Sequence, residues 1–389
     1  MQKTNWGLVF ALWGAGLGAA AQYGKFSATF DQLPAIYPQA GNALGLIVSC
    51  VGILGIFCGV IAGLLVARVR YRRALLWGLW TGAALSAFQA LLPPLPWMLA
   101  SRALEGLSHL ALVVAAPTLI AQLCAPGDRG LAMTLWGTFF GVAFAILAWA
   151  GLPLVAIGGL PALLVAHALY LSVFALYLGR RLRALDIDSP PVALSPGRIL
   201  REHVAIYSSP AISAPALGWL FYTFCFVSIL TVLPPYIPEE TRAFVMGAMP
   251  LVSIGVSMTL GVMLLRVMAA VGVIITGFTG SALAMLWLWA DPGGSVPALV
   301  LAGFMGLIQG ASFAAVPQLN HQPETQAQAN GAMAQMGNVG NTLGTPVMAI
   351  TAGAMGYAGL PVLAGAAFLL GACVHLLLSL RRRTVAGPA

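Results

Sequence analysis

The sequence predicts an all-α integral membrane protein of about twelve transmembrane helices, arranged as two parallel six-helix repeats. Three observations carry that reading. Of the 389 residues, 60% are hydrophobic and only 7% are charged, against roughly 25% charged in a soluble domain, so there is too little polar surface to cover a water-exposed globule. Charged residues punctuate the chain at nearly the ~20-residue interval a helix needs to cross hydrocarbon. Prolines, glycines and arginines recur in order at an offset of about 200 residues.

Each uncharged stretch from Lys3 to Lys25, Arg242 to Arg266 and Arg266 to Asp291 fits one span. Two longer stretches hold two spans each. Arg129 to Arg180 is expected to break at Pro153 and at Gly158-Gly159 before Pro161, and Glu324 to Arg381 between Gly353 and Pro361. The predicted spans are 6–30, 43–67, 74–92, 96–124, 131–152, 160–179, 211–236, 244–265, 267–290, 296–318, 328–352 and 360–380. Lys3, the apolar run from Gly7 and Ala19-Ala20-Ala21 imitate a cleavable signal. Cleavage would remove one helix and break the repeat, so the segment is read as the first span. Gly14-x-Gly16-x-x-Ala19 imitates a dinucleotide fingerprint but lies inside that span with no preceding strand. Cys50, Cys58, Cys124, Cys225 and Cys373 fall in apolar stretches without metal-type spacing and read as small apolar residues. Small residues at four-residue spacing, Gly14-Gly18, Gly55-Gly59-Gly63, Gly137-Gly141 and Gly340-Gly344, are expected to permit close helix approach.

Orientation follows from lysine and arginine in the loops. With the N-terminus in the cytoplasm, the inner side receives Lys3, Arg68, Arg70, Arg72, Arg73, Arg129, Arg180, Arg181, Arg183, Arg198, Arg201, Arg266 and Arg381 to Arg383; the outer side receives only Arg242. This asymmetry accounts for the net charge of +8 as topology and attraction to anionic lipid, and removes the case for nucleic acid. The expected organisation is an N-terminal bundle (1–180), a cytoplasmic linker with a brief interfacial helix (181–210) and a C-terminal bundle (211–389). Across the linker, Leu33-Pro34 matches Leu233-Pro234, Gly106-Leu107 matches Gly306-Leu307, and Pro117 matches Pro317. Gly137 matches Gly337, and Gly159-Leu160-Pro161 matches Gly359-Leu360-Pro361. Each half has an even number of spans, so the copies share one orientation.

The loop after the second span reads Gly63-Leu64-Leu65-Val66-Ala67-Arg68-Val69-Arg70-Tyr71-Arg72, and the fourth span carries Arg102-Ala103-Leu104-Glu105-Gly106. With six plus six helices and a central loop, these residues resemble the major facilitator superfamily over the whole chain. The first segment resembles the family's Gly-x-Leu-Ala-Asp-Arg-x-Gly-Arg-Arg motif through Gly63, Arg68 and Arg72, with Ala67 in place of the Asp and Arg70 in place of the second Gly. The resemblance implies that these residues belong to the cytoplasmic gate and that a latch lacking its Asp is weaker or differently built. The second resembles the family's Arg-x-x-x-Gly pattern. The antiporter motif Gly-Pro-x-x-Gly-Gly is not recognisable between Gly137 and Pro153.

Charge inside a membrane costs about 2.5–3.5 kcal/mol per residue on insertion scales, so the few intramembrane ionisable residues are the functional candidates. Arg102, Glu105 and His109, at i, i+3 and i+7, share one helical face. The resemblance places helices 1, 4, 7 and 10 around a central cavity, and with them Lys25 and its neighbours Gln22 and Tyr23. Plain alternatives are a structural Arg102–Glu105 pair, a core His109 and a Lys25 that snorkels outward; His167 reads as structural. The repeat pairs Lys25 with Cys225, Arg102 with Ala302, Glu105 with Met305 and His109 with Gln309. The second half offers neutral groups instead: Tyr222, Thr223, Gln309, Gln335, Asn338 and Asn341.

Lys25, Arg102 and Glu105 sum to a positive surplus, which favours an organic anion or zwitterion. The resemblance then implies a secondary transporter working by alternating access, with protons as the coupling ion and sodium as the alternative. Efflux of amphipathic compounds is the second reading, and a non-transporting membrane sensor or assembly factor is a reading of another class. An enzyme is disfavoured, because no HExxH, GxSxG or carboxylate cluster is present. No cofactor or metal is expected. The expected state is a monomer in the cytoplasmic (inner) membrane with both termini in the cytoplasm.

Overall fold

The computed structural model describes residues 3–57, 69–125, 128–184 and 196–385, and among these every regular element is helical. Helix α1 (Trp6–Ser27) starts where the Asn5 side chain accepts from the Leu8 amide at 3.2 Å, satisfying a donor left unpaired at the helix start. Gly14 to Ala20 of α1 are all buried, so this span needs no lipid-facing stripe and tolerates Gln22 and Lys25. Next come α2 (Gly41–Phe57), α3 (Tyr71–Gln89), α4 (Leu95–Leu123), α5 (129–158) and α6 (160–181). A linker helix (Pro196–Ser208) precedes α7 (Ser213–Val232), α8 (Glu239–Val256, continuing to Leu265), α9 (Ala270–Ala290), α10 (Ser295–Leu319), α11 (Pro323–Met355) and α12 (Gly359–Val385).

Among the described residues, seven continuous stretches are apolar and long enough to cross a membrane. Two of them, Phe139–Arg181 and Gln328–Thr384, are too long for one crossing. Each is divided at a glycine with positive φ, Gly159 (68°) and Gly356 (62°), where a side chain would be strained. These stretches therefore hold nine spans, and α1, α2 and α3 complete twelve. Pro153, the expected end of α5, lies inside the helix instead. The turn before it, Leu147–Gly151, is a wider π-turn, which makes room between the proline ring and the carbonyl one turn back.

The chain divides into two compact units, Met1–Gly55 with Ile61–Leu194 and Ile56–Val60 with Ser195–Ala389. In the first, α1 packs on α4, α5 and α6, α3 packs on α4 and α6, and α2 packs on α4. In the second, α7 packs on α10, α11 and α12, α9 on α10 and α12, and α8 on α10. The neighbour pattern is the same in both. Leu169, Val173 and Leu176 form an exposed stripe on α6, the arrangement a lipid-facing surface requires, while buried polar side chains lie within the units. In the linker helix, Ile206 packs among Ala216, Val316, Ala329, Ala332 and Met333, and Val204 is exposed.

The small-residue stripes are only partly used for close approach. Gly14 and Gly18 face Phe174 and Leu171 of α6, and Gly340 and Gly344 lie against the α7 backbone. At Gly137 a Cβ would meet open space, so close approach does not require glycine at that position. Gly63 and Arg68 lie outside the described residues. Arg72 donates from Nη2 to the Gly179 carbonyl of α6 at 3.1 Å.

Arg70, where the resembling motif has glycine, adopts φ 76°. A non-glycine residue held there costs on the order of 1–2 kcal/mol. Arg70→Gly is therefore expected to stabilise the protein by about 1 kcal/mol, read as a higher midpoint of thermal unfolding in detergent. A lower midpoint would mean that the arginine side chain contributes more than its backbone strain removes.

Candidate functional site

Four helices of the first unit converge on Glu105. Lys25, in the last turn of α1, is fully buried rather than snorkelling outward. Its ammonium donates to Glu105 Oε1 at 2.7 Å, Gln89 Oε1 at 2.8 Å and Ser86 Oγ at 3.1 Å. The other carboxylate oxygen, Oε2, accepts from Arg102 Nη1 and from Gln89 Nε2 at 2.9 Å. Both cations and the carboxylate are fully buried, where a lone charge would be prohibitive and charge-assisted hydrogen bonds are strong. The Phe26 ring lies 4.7 Å from Arg102 Cζ and 5.5 Å from Lys25 Nζ, adding cation–π attraction to both.

His167 of α6, which reads from the sequence as structural, lies within this cluster. Its Nε2 lies 2.9 Å from the Gly18 carbonyl. A carbonyl only accepts, so Nε2 carries the proton and, in the neutral ring, Nδ1 is the acceptor. That Nδ1 faces Ser86 Oγ at 2.9 Å and Lys25 Nζ at 3.4 Å. Lys25 thus sits between a carboxylate and an accepting imidazole nitrogen, an order suited to moving a proton. His109 differs. Its Nδ1 meets the Ala19 carbonyl at 3.1 Å and its ring packs edge-on to Tyr23 at 5.1 Å, so it packs beside the cluster.

Gln22 donates to Ser108 Oγ at 2.7 Å, and Ser108 to the Gly78 carbonyl at 2.6 Å. Gln22 Oε1 and the Tyr23 hydroxyl are buried without a hydrogen-bond partner. Sequence reasoning did not single out Ser86, Gln89, Ser101 or Ser108. The available signal was Gly82, Ser86 and Gln89 at i, i+4 and i+7 on α3, a polar stripe in a span; a search for charge alone passes over it.

The second-half candidates are not gathered in this way. Thr223 donates to the Trp219 carbonyl at 2.9 Å and Asn338 to the Ala334 carbonyl at 2.8 Å, each one turn back in its own helix. Gln335 accepts from the Tyr207 hydroxyl of the linker helix at 2.6 Å. Tyr222 is buried and stacks on Trp219 at 4.6 Å; Gln309 and Asn341 are half-buried. At the place where the first unit holds Arg102 and Glu105, the second has a small apolar cavity. Ala302, Met305, Phe226, Ile229 and Met249 line it, with Ser253 as its polar group. Among the described residues, no group of three or more His, Cys, Asp or Glu side chains is arranged to hold a metal ion.

A family model described as Major Facilitator Superfamily matches residues 8–345. Among solved structures, the chain is similar to a bacterial homologue of the human lysosomal transporter Spinster, in an inward-facing and unoccupied conformation. The TM-score is 0.75 at 14% identity, with 95% of this chain and 96% of that one covered. At that identity the likeness speaks for the fold alone. A search of curated proteins gave no match.

The two-to-one charge ratio orders the expected variants. Glu105→Gln leaves two buried cations without a counter-charge and is expected to lose about 3–5 kcal/mol. Lys25→Met leaves a matched Arg102–Glu105 pair and is expected to lose clearly less. Thermal midpoints of the two purified variants test the order; a larger loss in Lys25→Met would show that the surplus cation is needed for the fold.

Proposed function

Because the chain belongs to the major facilitator superfamily, a family of membrane transporters and not of enzymes, we propose that it moves a small organic anion or zwitterion by proton-coupled alternating access. One observation carries the reading: a fully buried carboxylate, Glu105, held by two cations from two other positions of the same unit. The pair of cations exceeds the charge of its counter-ion, so a second anion entering beside it would be attracted. A proton on Glu105 would free Lys25 and Arg102 to hold that anion, linking the two ligands in one equilibrium. His167, whose Nδ1 faces Lys25, is the next group along a proton path.

The arginine-rich loops support a cytoplasmic-membrane location with both termini inside. We take the organisation to be two bundles, 1–180 and 211–389, joined by the segment 181–210, working as a monomer. A second reading, efflux of amphipathic compounds, draws on the apolar, uncharged side chains that the second unit places where the first holds Arg102 and Glu105.

Two measurements test this. Organic anions are expected to raise the thermal midpoint of the purified protein, and Lys25→Met to remove most of the effect. Stabilisation by cationic amphiphiles alone, unchanged in that variant, would favour efflux instead. In proteoliposomes, Glu105→Gln is expected to keep substrate counterflow but to lose accumulation driven by a proton gradient. Accumulation at the parent rate would remove Glu105 from the coupling step.

A further inference from the structure

The Arg-x-x-x-Gly pattern of α4 has a second set of contacts that the charge cluster does not explain. Arg102 Nε donates to the Ile47 carbonyl at 2.6 Å, and Nη2 donates to the carbonyls of Val48 at 3.3 Å and Gln22 at 2.6 Å. Ile47 and Val48 belong to α2, which is not uniform. It is α-helical over Leu44–Ser49 and turns to 3-10 geometry at Cys50–Gly52. At this junction the Cys50 amide bonds to the Leu46 carbonyl, and the Ile53 amide to the Cys50 carbonyl. Between those bonds lie three carbonyls, Ile47, Val48 and Ser49, but only two amides, Val51 and Gly52. One carbonyl is left over, and buried it requires an outside donor. The Arg102 guanidinium supplies it.

Four residues on, Gly106 lies on the same stripe of α4 and faces the Val51 carbonyl so closely that a Cβ there would collide with it. The pattern therefore grips α2 on both sides of its change of geometry. A mid-helix 3-10 stretch of this kind often marks a hinge.

The second unit provides an internal comparison. Gly306 seats against the Ser253 carbonyl of α8 in the same way, but Ala302 stands where Arg102 does. There, α8 runs α-helical through Val256, the Ser257 amide reaches both the Ser253 and the Ile254 carbonyls, and the helix then widens to a π-turn over Ser257–Gly261. Both helices are therefore irregular near the glycine contact, but the 3-10 turn level with the glycine occurs where the guanidinium is present, and the π-turn of α8 begins one turn further on.

We propose that Arg102 and Gly106 form a clasp on a hinge in α2 at Cys50–Gly52, and that Glu105 anchors the clasp through Arg102 Nη1. The chain leaving α2 leads in sequence to the Gly63–Arg72 segment, so the clasp ties the buried carboxylate to the helix that precedes it. Arg102 and Gly106 are positioning residues in this scheme. The clasp does not depend on which solute is moved, or on whether Glu105 carries the coupling proton.

Cys50 lies at the hinge and is buried, and Cys124, at the end of α4, is buried away from it. The test uses the full chain with Cys58, Cys225 and Cys373 replaced by Ala. The alkylation rates of Cys50 and Cys124 by N-ethylmaleimide are read separately by mass spectrometry, without substrate. Arg102→Lys, which keeps the charge but loses the fork, Gly106→Ala and Glu105→Gln are each expected to speed Cys50 alkylation about tenfold. This is the scale for losing one charge-assisted hydrogen bond from a local opening equilibrium. Cys124 is expected to keep its parent rate, as is Cys50 in Lys25→Met, which leaves the clasp whole. Parent-rate alkylation of Cys50 in Gly106→Ala or Arg102→Lys would overturn the clasp. Cys124 rising in step with Cys50 would also overturn it, because the loosening would then be general. Parent-rate Cys50 in Glu105→Gln would remove the carboxylate from the clasp. None of these outcomes bears on the proton-driven accumulation assay, so the two proposals fail separately.

Discussion

The first unit is organised by one constraint: a carboxylate surrounded by helices and lipid must find its counter-charges within reach. Each partner of Glu105 comes from elsewhere. Lys25 is on α1, Gln89 on α3, and Arg102 one turn earlier on α4, with His167 on α6 behind Lys25. Satisfying the carboxylate thus fixes the rotation of three helices and the depth of a fourth. It also explains residues that look unremarkable by themselves. Gly82 leaves space on α3 that a Cβ would fill against Ser108 and Gln22, so the Gln22–Ser108–Gly78 chain can run alongside the charges. The small residues of α1 let α6 come close enough for His167 to reach Gly18.

Much of the frame was legible in the sequence because membranes punish ambiguity. An uncharged stretch of given length has to cross, and a basic loop has to stay on one side. Twelve spans and their repeat follow from that. The boundaries followed less well, since a proline ends a helix only when nothing else makes room for it. At Pro153 a π-turn does, and α5 runs on to the glycine at 159. The charged candidates could be named because each is costly wherever it sits. Ser86 and Gln89 could not, because a neutral polar side chain in a span is ordinary and is often satisfied within its own helix, as Thr223 and Asn338 are. The neighbours of His167 were not legible because they are remote in sequence: Lys25, Gly18 and Ser86. Near a helix end Lys25 could point either way by spacing alone. The polar face of α3 decides the matter, and that face is visible only once the helices are packed.

The repeat separates what the architecture needs from what the charges add. Both units use the same neighbour pattern, and both seat a glycine, Gly106 or Gly306, against a carbonyl of the adjacent helix. In the second unit the positions corresponding to Lys25, Arg102 and Glu105 are Cys225, Ala302 and Met305, and the six-helix frame forms around a small apolar cavity. The frame therefore stands without the ion cluster.

That bears on why the cluster exists. Replacing buried ion triads with well-packed apolar residues is often neutral or stabilising, and this chain contains such a replacement in its own second half. A structural role alone gives no reason to bury three charges in one copy when the other copy packs with none. The plain alternative, an Arg102–Glu105 pair that merely satisfies itself, also leaves Lys25 unexplained, because a matched pair needs no further cation. A surplus positive charge beside a single carboxylate is what the proposed function asks for, in which a second anion enters beside it.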